Sequence, residues 1–108
     1  MLVRDNAKNT ESTPTEYQRV RIPDEKEGEQ LGEVIQLLGH DKLKVRCSDG
    51  HVRVCRIPGR MRKRTWIKNG DIVIIVPWDF QFEERADTVW RYTKGQVQWL
   101  SKNGYLDF

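Results

Sequence analysis

Hydrophobic and polar residues alternate through the middle of this chain in the pattern of β-strands. Residues 31–39 are mostly β-branched or aliphatic and include two glycines, and apolar and cationic side chains alternate in residues 42–48. Neighbouring side chains of a strand point to opposite faces, so the pattern predicts two strands joined by a turn at residues 39–41. The second strand would place Lys44 and Arg46 together on one face.

The next turn is predicted to be a tight hairpin. Asp49-Gly50 is typical of a two-residue turn that needs positive φ at both positions. Counting outward from this turn gives the pairs Cys47 with Val52, Arg46 with Arg53, Val45 with Val54, and Lys44 with Cys55. Cys47 and Cys55 would then lie on opposite faces, so neither a disulfide nor a zinc site is expected. Arg46 and Arg53 would face each other on the solvent side, where an anionic ligand would relieve their repulsion.

Later apolar runs predict the remaining strands. The third strand is expected to end at Pro58-Gly59, and a helical turn is expected from about Met61 to Trp66. Residues 72–78 are apolar on both faces, so this fourth strand needs two covers, the interior of a barrel and a C-terminal helix. A fifth strand is predicted over residues 88–92.

The C-terminal helix has both a start signal and a stop signal. Thr93 and Gln96 have the spacing of a capping box, and Asn103-Gly104 is typical of a helix end. A helix is therefore predicted from about Lys94 to Lys102, with Leu100 facing the sheet.

These elements predict an all-β fold: a five-stranded OB-fold barrel with a C-terminal helix and a flexible N-terminal tail. Residues 1–28 have no sustained apolar period and are assigned to the tail. Residues 29–92 are assigned to an RNA-binding barrel, and residues 93–108 to the helix packed on it. Barrels of this type commonly bind oligonucleotides through the face of strands two and three.

Positive charge is concentrated in one part of the chain. The net charge is +3 over 108 residues, but residues 42–68 hold ten Lys or Arg and one acid. Residues 56–68, called the basic segment below, hold six of these cations, one Trp and no acid. Such a cluster repels itself unless polyanions such as phosphates neutralise it. The plainer alternative is a solvated charge run, which the interleaved Trp66 and the flanking turn residues make less attractive.

Other function classes have little support in the sequence. The chain has two histidines, no glycine-rich phosphate loop and no nucleophile motif, so neither an enzyme nor a bound cofactor is expected. No apolar run reaches the length of a membrane span, and residues 1–15 lack the apolar core of a signal peptide. A cytoplasmic protein without membrane contact is expected.

Several motifs resemble one known family. They are Gly32–Ile35, the Asp49-Gly50 turn, Ile57–Ile67, Gly70–Val73 and Pro77–Asp79. Together they resemble translation initiation factor 1A of archaea and eukaryotes, itself similar to bacterial initiation factor one, over about residues 17–105. The run Gly-Arg-Met-Arg-Lys-Arg-Thr-Trp-Ile is the specific part of the match. The chain ends at Phe108 without the long acidic extension of eukaryotic members, which favours the archaeal form.

The resemblance implies a non-enzymatic factor that binds the decoding (A) site of the small ribosomal subunit through ribosomal RNA. Such a factor promotes placement of initiator tRNA on the start codon. Its implied partners are small-subunit RNA, the initiator tRNA machinery and an initiation GTPase, here through residues 101–108, and a monomer is expected. The candidate RNA-binding residues are Lys44, Arg46 and Arg53 on the barrel face and Arg60, Arg62, Lys63, Arg64, Trp66 and Lys68 in the basic segment.

Two other binding classes are weighed against this hypothesis. A single-stranded RNA binder of the cold-shock type would stack bases on several exposed aromatic residues along strands two and three. Residues 42–56 contain no aromatic side chain, which favours docking to folded RNA through phosphates. A protein-only adaptor would not need so concentrated a positive charge. Whether Trp66 packs in the core or faces RNA is left open by the sequence.

Overall fold

The computed structural model of the protein describes residues 20–39, 41–64 and 67–108, and over residues 62–64 it describes the backbone alone. The strands are β1 (Gln30–Leu37), β2 (Lys42–Cys47), β3 (Val52–Arg56), β4 (Ile72–Pro77) and β5 (Arg85–Arg91). The helices of the described residues are α1 (Gly59–Arg64) and α2 (Lys94–Lys102), and a 3-10 turn spans Glu25–Glu27. Trp66 and His40 lie outside the described residues.

The five strands form one closed barrel in the order β1, β2, β3, β5, β4, with β4 pairing back to β1. The β3–β5 pair is parallel and the other four pairs are antiparallel. This order is that of the OB-fold, so the predicted fold class is confirmed. β5 begins at Arg85 rather than Thr88, because its first residues pair with β3, Arg85 opposite Val54.

Strand β4 separates two hydrophobic clusters, as its doubly apolar pattern predicted. Val73 and Ile75 point into the barrel, where the interior cluster also contains Leu43 and Val45 of β2. Ile72 and Ile74 point outward. The second cluster around them consists of Val20, Leu31, Tyr92 and Leu100, with Val89, Val97, Trp99, Leu106 and Phe108 packed against it. Helix α2 therefore covers the barrel wall.

Helix α2 begins and ends where the sequence predicted. The Thr93 side chain accepts a hydrogen bond from the backbone N–H of Gln96, and the Gln96 side chain accepts one from the backbone N–H of Thr93. At the other end Gly104 has φ of +80°, and the backbone N–H of Tyr105 donates to the carbonyl of Leu100. Both ends are thus satisfied by local hydrogen bonds.

The predicted register of the β2–β3 hairpin is wrong by one residue. Lys44 lies opposite Val54, and Val45 lies opposite Arg53. The loop has three residues, 48–50, rather than two: the backbone N–H of Gly50 donates to the carbonyl of Cys47, and Gly50 alone of these three has positive φ, +93°. A tight turn followed by a left-handed glycine is the usual three-residue hairpin loop.

This register reverses two expectations about side-chain faces. Cys47 and Cys55 both point into the barrel, where both are fully buried free thiols, so the prediction of opposite faces is wrong. Burial raises the pKa of each thiol above its usual value because it disfavours the thiolate. Arg53 points inward as well, with 2% of its surface exposed, so it does not oppose Arg46.

Residues 20–28 were predicted to belong to the N-terminal tail, but they pack on the barrel. Val20 is buried in the cluster under α2, and the hydroxyl of Tyr92 donates to the carbonyl of Arg21. Burial raises the pKa of Tyr92 to about 12. Arg21 also pairs with Glu29 at 2.8 Å and lies over the ring of Trp90. Residues 20–29 therefore form a strap across the barrel wall.

Candidate nucleic-acid interface

The outer face of β2 presents a row of cations to solvent. Lys42, Lys44 and Arg46 are exposed, whereas the residues between them are buried in the barrel. Because the strand alternates, the three cations project from the same side. Lys42 lies opposite the exposed Arg56 of β3, which extends the row across the hairpin. These four residues are called the basic face below.

Helix α1 follows the end of β3, and four of its six residues are Lys or Arg. Its residue Met61 is 7% exposed and belongs to the interior cluster of the barrel, together with Ile57. Ile67, after the helix, is packed against the same cluster. The basic segment is thus fixed to the barrel at both ends, and Arg60 on α1 is exposed. Anchoring of this kind lowers the entropy lost when cations are positioned against a polyanion.

Some cations in this region already have acidic partners. Arg46 pairs with Glu33 across β1 and β2, and Arg56 pairs with Asp87 at 3.1 Å. Both arginines remain about half exposed, with side-chain exposures of 48% and 59%. Exposed pairs of this type contribute little to stability and are readily exchanged for other anions. Arg46 and Arg56 therefore keep donors for an incoming phosphate.

Three other cations have no such partner among the described residues, whereas Lys42 pairs with Asp41 at 3.5 Å. Within the described residues, no carboxylate lies within ion-pair distance of Lys44, Arg60 or Lys68. Lys68 interacts with Asp71 through its backbone N–H, which donates to Oδ2 at 2.8 Å. The second donor to that carboxylate is Arg91, so Asp71 is occupied by the turn and by β5. Unneutralised, exposed cations on a fixed scaffold are suited to phosphate binding.

Arg53 differs from the other predicted site residues because it is committed to the structure. Its guanidinium donates two hydrogen bonds to Asp49, at 3.0 and 2.8 Å, and a third to the carbonyl of Phe82. The two-pronged geometry matches the shape of a carboxylate. Arg53 was predicted to contact RNA from the solvent face, and that placement is wrong, so Arg53 is left out of the interface proposed below.

The Arg53–Asp49 pair shifts the pKa of both groups. The hydrogen bonds from Arg53 hold the pKa of Asp49 well below its usual range, and those to Asp49 raise the pKa of Arg53. A carboxylate that accepts charged hydrogen bonds is stabilised in its ionised form. The pair ties the β2–β3 loop to the start of β3 and, through Phe82, to the loop that precedes β5.

The structure shows where some of the predicted site residues lie, and it adds two cations to the candidate interface. Lys44, Arg46, Arg60 and Lys68 are exposed as predicted. For Arg62, Lys63 and Arg64 only the helical backbone is described, and Trp66 lies outside the described residues. Lys42 and Arg56 were not among the predicted site residues, although the basic face contains both. The alternation of β2 could have identified Lys42, because it has the same period as Lys44.

A closed OB-fold barrel with a cationic outer face on β2 and a cationic helix beside it defines a class of small nucleic-acid-binding proteins. A profile of the family described as "Translation initiation factor 1A / IF-1" matches residues 17–108. The chain belongs to this family, and its role is in translation initiation. The factors of this family are a non-enzymatic class of protein, and membership implies interaction with the small ribosomal subunit.

Named relatives agree with the profile. The chain is 57% identical over 91 residues to "Translation initiation factor 1A" of Methanothermobacter thermautotrophicus, covering 84% of this chain and 90% of that protein. It is 59% identical over 90 residues to the protein of the same name from Archaeoglobus fulgidus, covering 83% and 92%. Both relatives are archaeal.

Similarity to a solved structure concerns the fold alone. The crystal structure of YjeQ from Thermotoga maritima superposes with a TM-score of 0.50 at 18% identity, covering 60% of this chain and 23% of that chain.

No helix in the described residues is long and apolar enough to cross a membrane.

Proposed function

We propose that this chain binds the decoding site of the small ribosomal subunit through ribosomal RNA and promotes placement of initiator tRNA on the start codon. The observation that supports the RNA contact is the set of exposed cations without acidic partners in the described residues, Lys44 and Arg60 in particular. They lie on two elements fixed to the same barrel core. Family membership directs this surface to the small subunit.

The proposed interface consists of the basic face and the basic segment. It includes Lys42, Lys44, Arg46, Arg56, Arg60, Arg62, Lys63, Arg64, Trp66 and Lys68. Phosphates of folded RNA would exchange with the carboxylates that now pair with Lys42, Arg46 and Arg56. Lys44, Arg60 and Lys68, which have no carboxylate partner within the described residues, would gain partners on binding, with release of counterions from the RNA. The surface acts by charge and shape, because β2 and β3 present no aromatic ring for base stacking.

The first test is the affinity of the protein for small ribosomal subunits after removal of two cations without acidic partners. Replacing both Lys44 and Arg60 with Ala is expected to weaken binding by about tenfold or more, because each loses charged hydrogen bonds to phosphate. Folding should be unaffected, since both side chains are exposed. Lys102→Ala, an exposed lysine on α2, is the matched control and should change affinity less than about twofold.

The same assay separates the decoding site from other RNA surfaces. A tRNA bound in the A site should displace the wild-type protein from programmed subunits, and retention of initiator tRNA on a start codon should rise when the protein is added. Binding that is indifferent to an A-site tRNA would contradict the proposed site. Equal losses for the double variant and for Lys102→Ala would contradict the proposed interface.

A contact with an initiation GTPase through residues 101–108 stays a prediction. Leu106 and Phe108 pack against the cluster under α2, so their side chains are already engaged. Tyr105 stacks on Trp99 with ring centroids 5.8 Å apart and remains 39% exposed. Any contact by this end would therefore be made around Tyr105.

A further inference from the structure

The loop between β4 and β5 exposes aromatic side chains in an acidic setting. Residues 78–84, called the acidic aromatic loop below, contain three aromatic residues, three acids and no cation. Phe80 is 67% exposed and Phe82 is 55% exposed, the largest values among the exposed large hydrophobic residues of the described chain. Neighbouring exposed aromatic side chains on a small protein indicate a contact surface, because apolar rings are less stable in water than when buried against a partner.

The backbone of this loop is held in one shape. The backbone N–H groups of Glu84 and Arg85 both donate to the carbonyl of Gln81 at 2.9 Å, and that of Trp78 donates to the carbonyl of Arg85 at 3.1 Å. The buried Arg53 donates to the carbonyl of Phe82. Gln81 has φ of +54°, a left-handed conformation that a residue with a side chain adopts at a cost and that the surrounding bonds maintain.

The aromatic side chains are also supported from beneath. The indole N–H of Trp78 donates to Asp87 at 3.0 Å, and the rings of Trp78 and Phe80 are tilted against each other with centroids 5.8 Å apart. The guanidinium of Arg56 lies over the Trp78 ring, 5.9 Å from its centroid. Phe80 is therefore presented from a fixed base, so a partner would pay little ordering entropy to bind it.

The charge of the loop decides what kind of partner fits. Asp79, Glu83 and Glu84 are exposed, and within the described residues Asp79 and Glu84 make no ion pair. Platforms that stack nucleic-acid bases combine aromatic rings with positive charge, which counters phosphate. This loop has the opposite sign and would repel a phosphate backbone. It is complementary to a protein surface that combines Lys or Arg with an apolar pocket.

We propose that the acidic aromatic loop docks on a basic protein surface of the small ribosomal subunit, with Phe80 and Phe82 as the apolar anchors. The inference rests on the proposed binding to that subunit and adds a protein contact to the RNA contact. The two surfaces differ in charge. RNA phosphates would meet the cations of β2 and α1, and cationic side chains of a ribosomal protein would meet the loop before β5.

The test compares two probes, intact small subunits and the same ribosomal RNA freed of protein. Replacing both Phe80 and Phe82 with Ser is expected to weaken binding to intact subunits by about tenfold, the scale of aromatic anchors in interfaces. Binding to the free RNA should stay within about twofold of wild type. Ile22→Ser, which removes a 40% exposed side chain from the N-terminal strap, is the control and should leave both affinities unchanged.

A second measurement identifies the contacting molecule directly. Phe80 is replaced with the photoreactive analogue benzoylphenylalanine, the complex with intact subunits is irradiated, and the product is digested with ribonuclease. A crosslinked polypeptide that survives digestion is expected. Crosslinks to RNA alone, or an equal loss of affinity for free RNA in the double variant, would overturn the inference in favour of a base contact.

The outcomes distinguish this inference from the proposed function. If wild type binds intact subunits and the Phe80/Phe82 double variant binds equally well, the loop contact is overturned and the RNA contact stands. If wild type does not bind intact subunits, both proposals are overturned. Thermal unfolding of the double variant should match wild type within a few degrees, because both rings are exposed.

Discussion

Arg46 and Arg53 of the β2–β3 hairpin are used in opposite ways although they lie on neighbouring strands. Arg46 projects from the outer face, keeps 48% of its side chain exposed and pairs loosely with Glu33. Arg53 projects into the barrel, is 2% exposed, and is bound by both oxygens of Asp49. One cation is available to a ligand and the other holds the loop to the barrel.

The comparison shows that formal charge is a poor measure of a binding surface. Residues 42–68 hold ten cations, but the structure removes Arg53 from the set that RNA could reach. Whether a cation is available to RNA depends on which face of the strand carries it and on whether a carboxylate of the same chain already binds it. The basic face can therefore be altered with little effect on folding, whereas the Arg53–Asp49 pair cannot.

The largest expected effect comes from Arg53→Thr. The substitution removes a side chain that is 2% exposed, which leaves a cavity, and it takes away two hydrogen bonds to Asp49 and one to the carbonyl of Phe82, so it should cost about 3 kcal/mol in the free energy of unfolding. For a domain of this size that corresponds to a fall of about 12 °C or more in Tm. Lys44→Thr on the same hairpin is the control and should stay within about 0.5 kcal/mol of wild type. The measurement is thermal or urea unfolding.

The outcome of Arg53→Thr decides between the two registers of the hairpin. The solvent-facing register predicts unchanged or slightly higher stability for this variant, because a like-charge contact would be relieved. A Tm equal to that of Lys44→Thr would therefore contradict the buried pair. A selective loss for Arg53→Thr supports it.

A smaller loss of stability is expected when Asp49, the partner of Arg53, is replaced. Asp49→Asn should cost about 2 kcal/mol at neutral pH, since a charged hydrogen-bond acceptor is lost from a side chain that is 36% exposed. The pKa of Asp49 is depressed in the folded protein, so its contribution is present above about pH 4 and is lost as the pH falls further.

The pH dependence of this variant provides the sharper measurement. The difference in Tm between wild type and Asp49→Asn should be present at neutral pH and should narrow as the pH falls below about 4. Subtracting the two curves removes the contribution of the other carboxylates. A difference that does not change with pH would show that Asp49 is not ionised in the pair.

The barrel and helix α2 could be predicted from the sequence because they depend on local signals. Strand alternation, the doubly apolar β4 and the capping box of Thr93 each act within a few residues. The strap at residues 20–29 depends instead on distant anchors: Val20 packs under α2, and the carbonyl of Arg21 accepts a hydrogen bond from the hydroxyl of Tyr92. Its acidic composition is typical of a tail, and only the folded barrel provides its partners.

Local signals also explain which residues of the candidate site could be predicted and which could not. Exposure of Lys44 and Arg46 follows from the period of β2, which is a local signal. The hydrophobic pattern of β3 favoured burial of Val52 and Val54, yet the structure buries Arg53 and Cys55. Two contacts outside the strand, Asp49 and the carbonyl of Phe82, compensate for burying the guanidinium, and these emerge only when the barrel closes.

The salt dependence of small-subunit binding tests the central claim most directly. If about six cations of the basic face and basic segment meet phosphates, a plot of log K against log salt concentration should have a slope of roughly −4 to −5. The Lys44/Arg60 double variant should have a slope shallower by about two, and Lys102→Ala should match wild type. A slope near zero, or one equally steep in the double variant, would contradict binding through these cations.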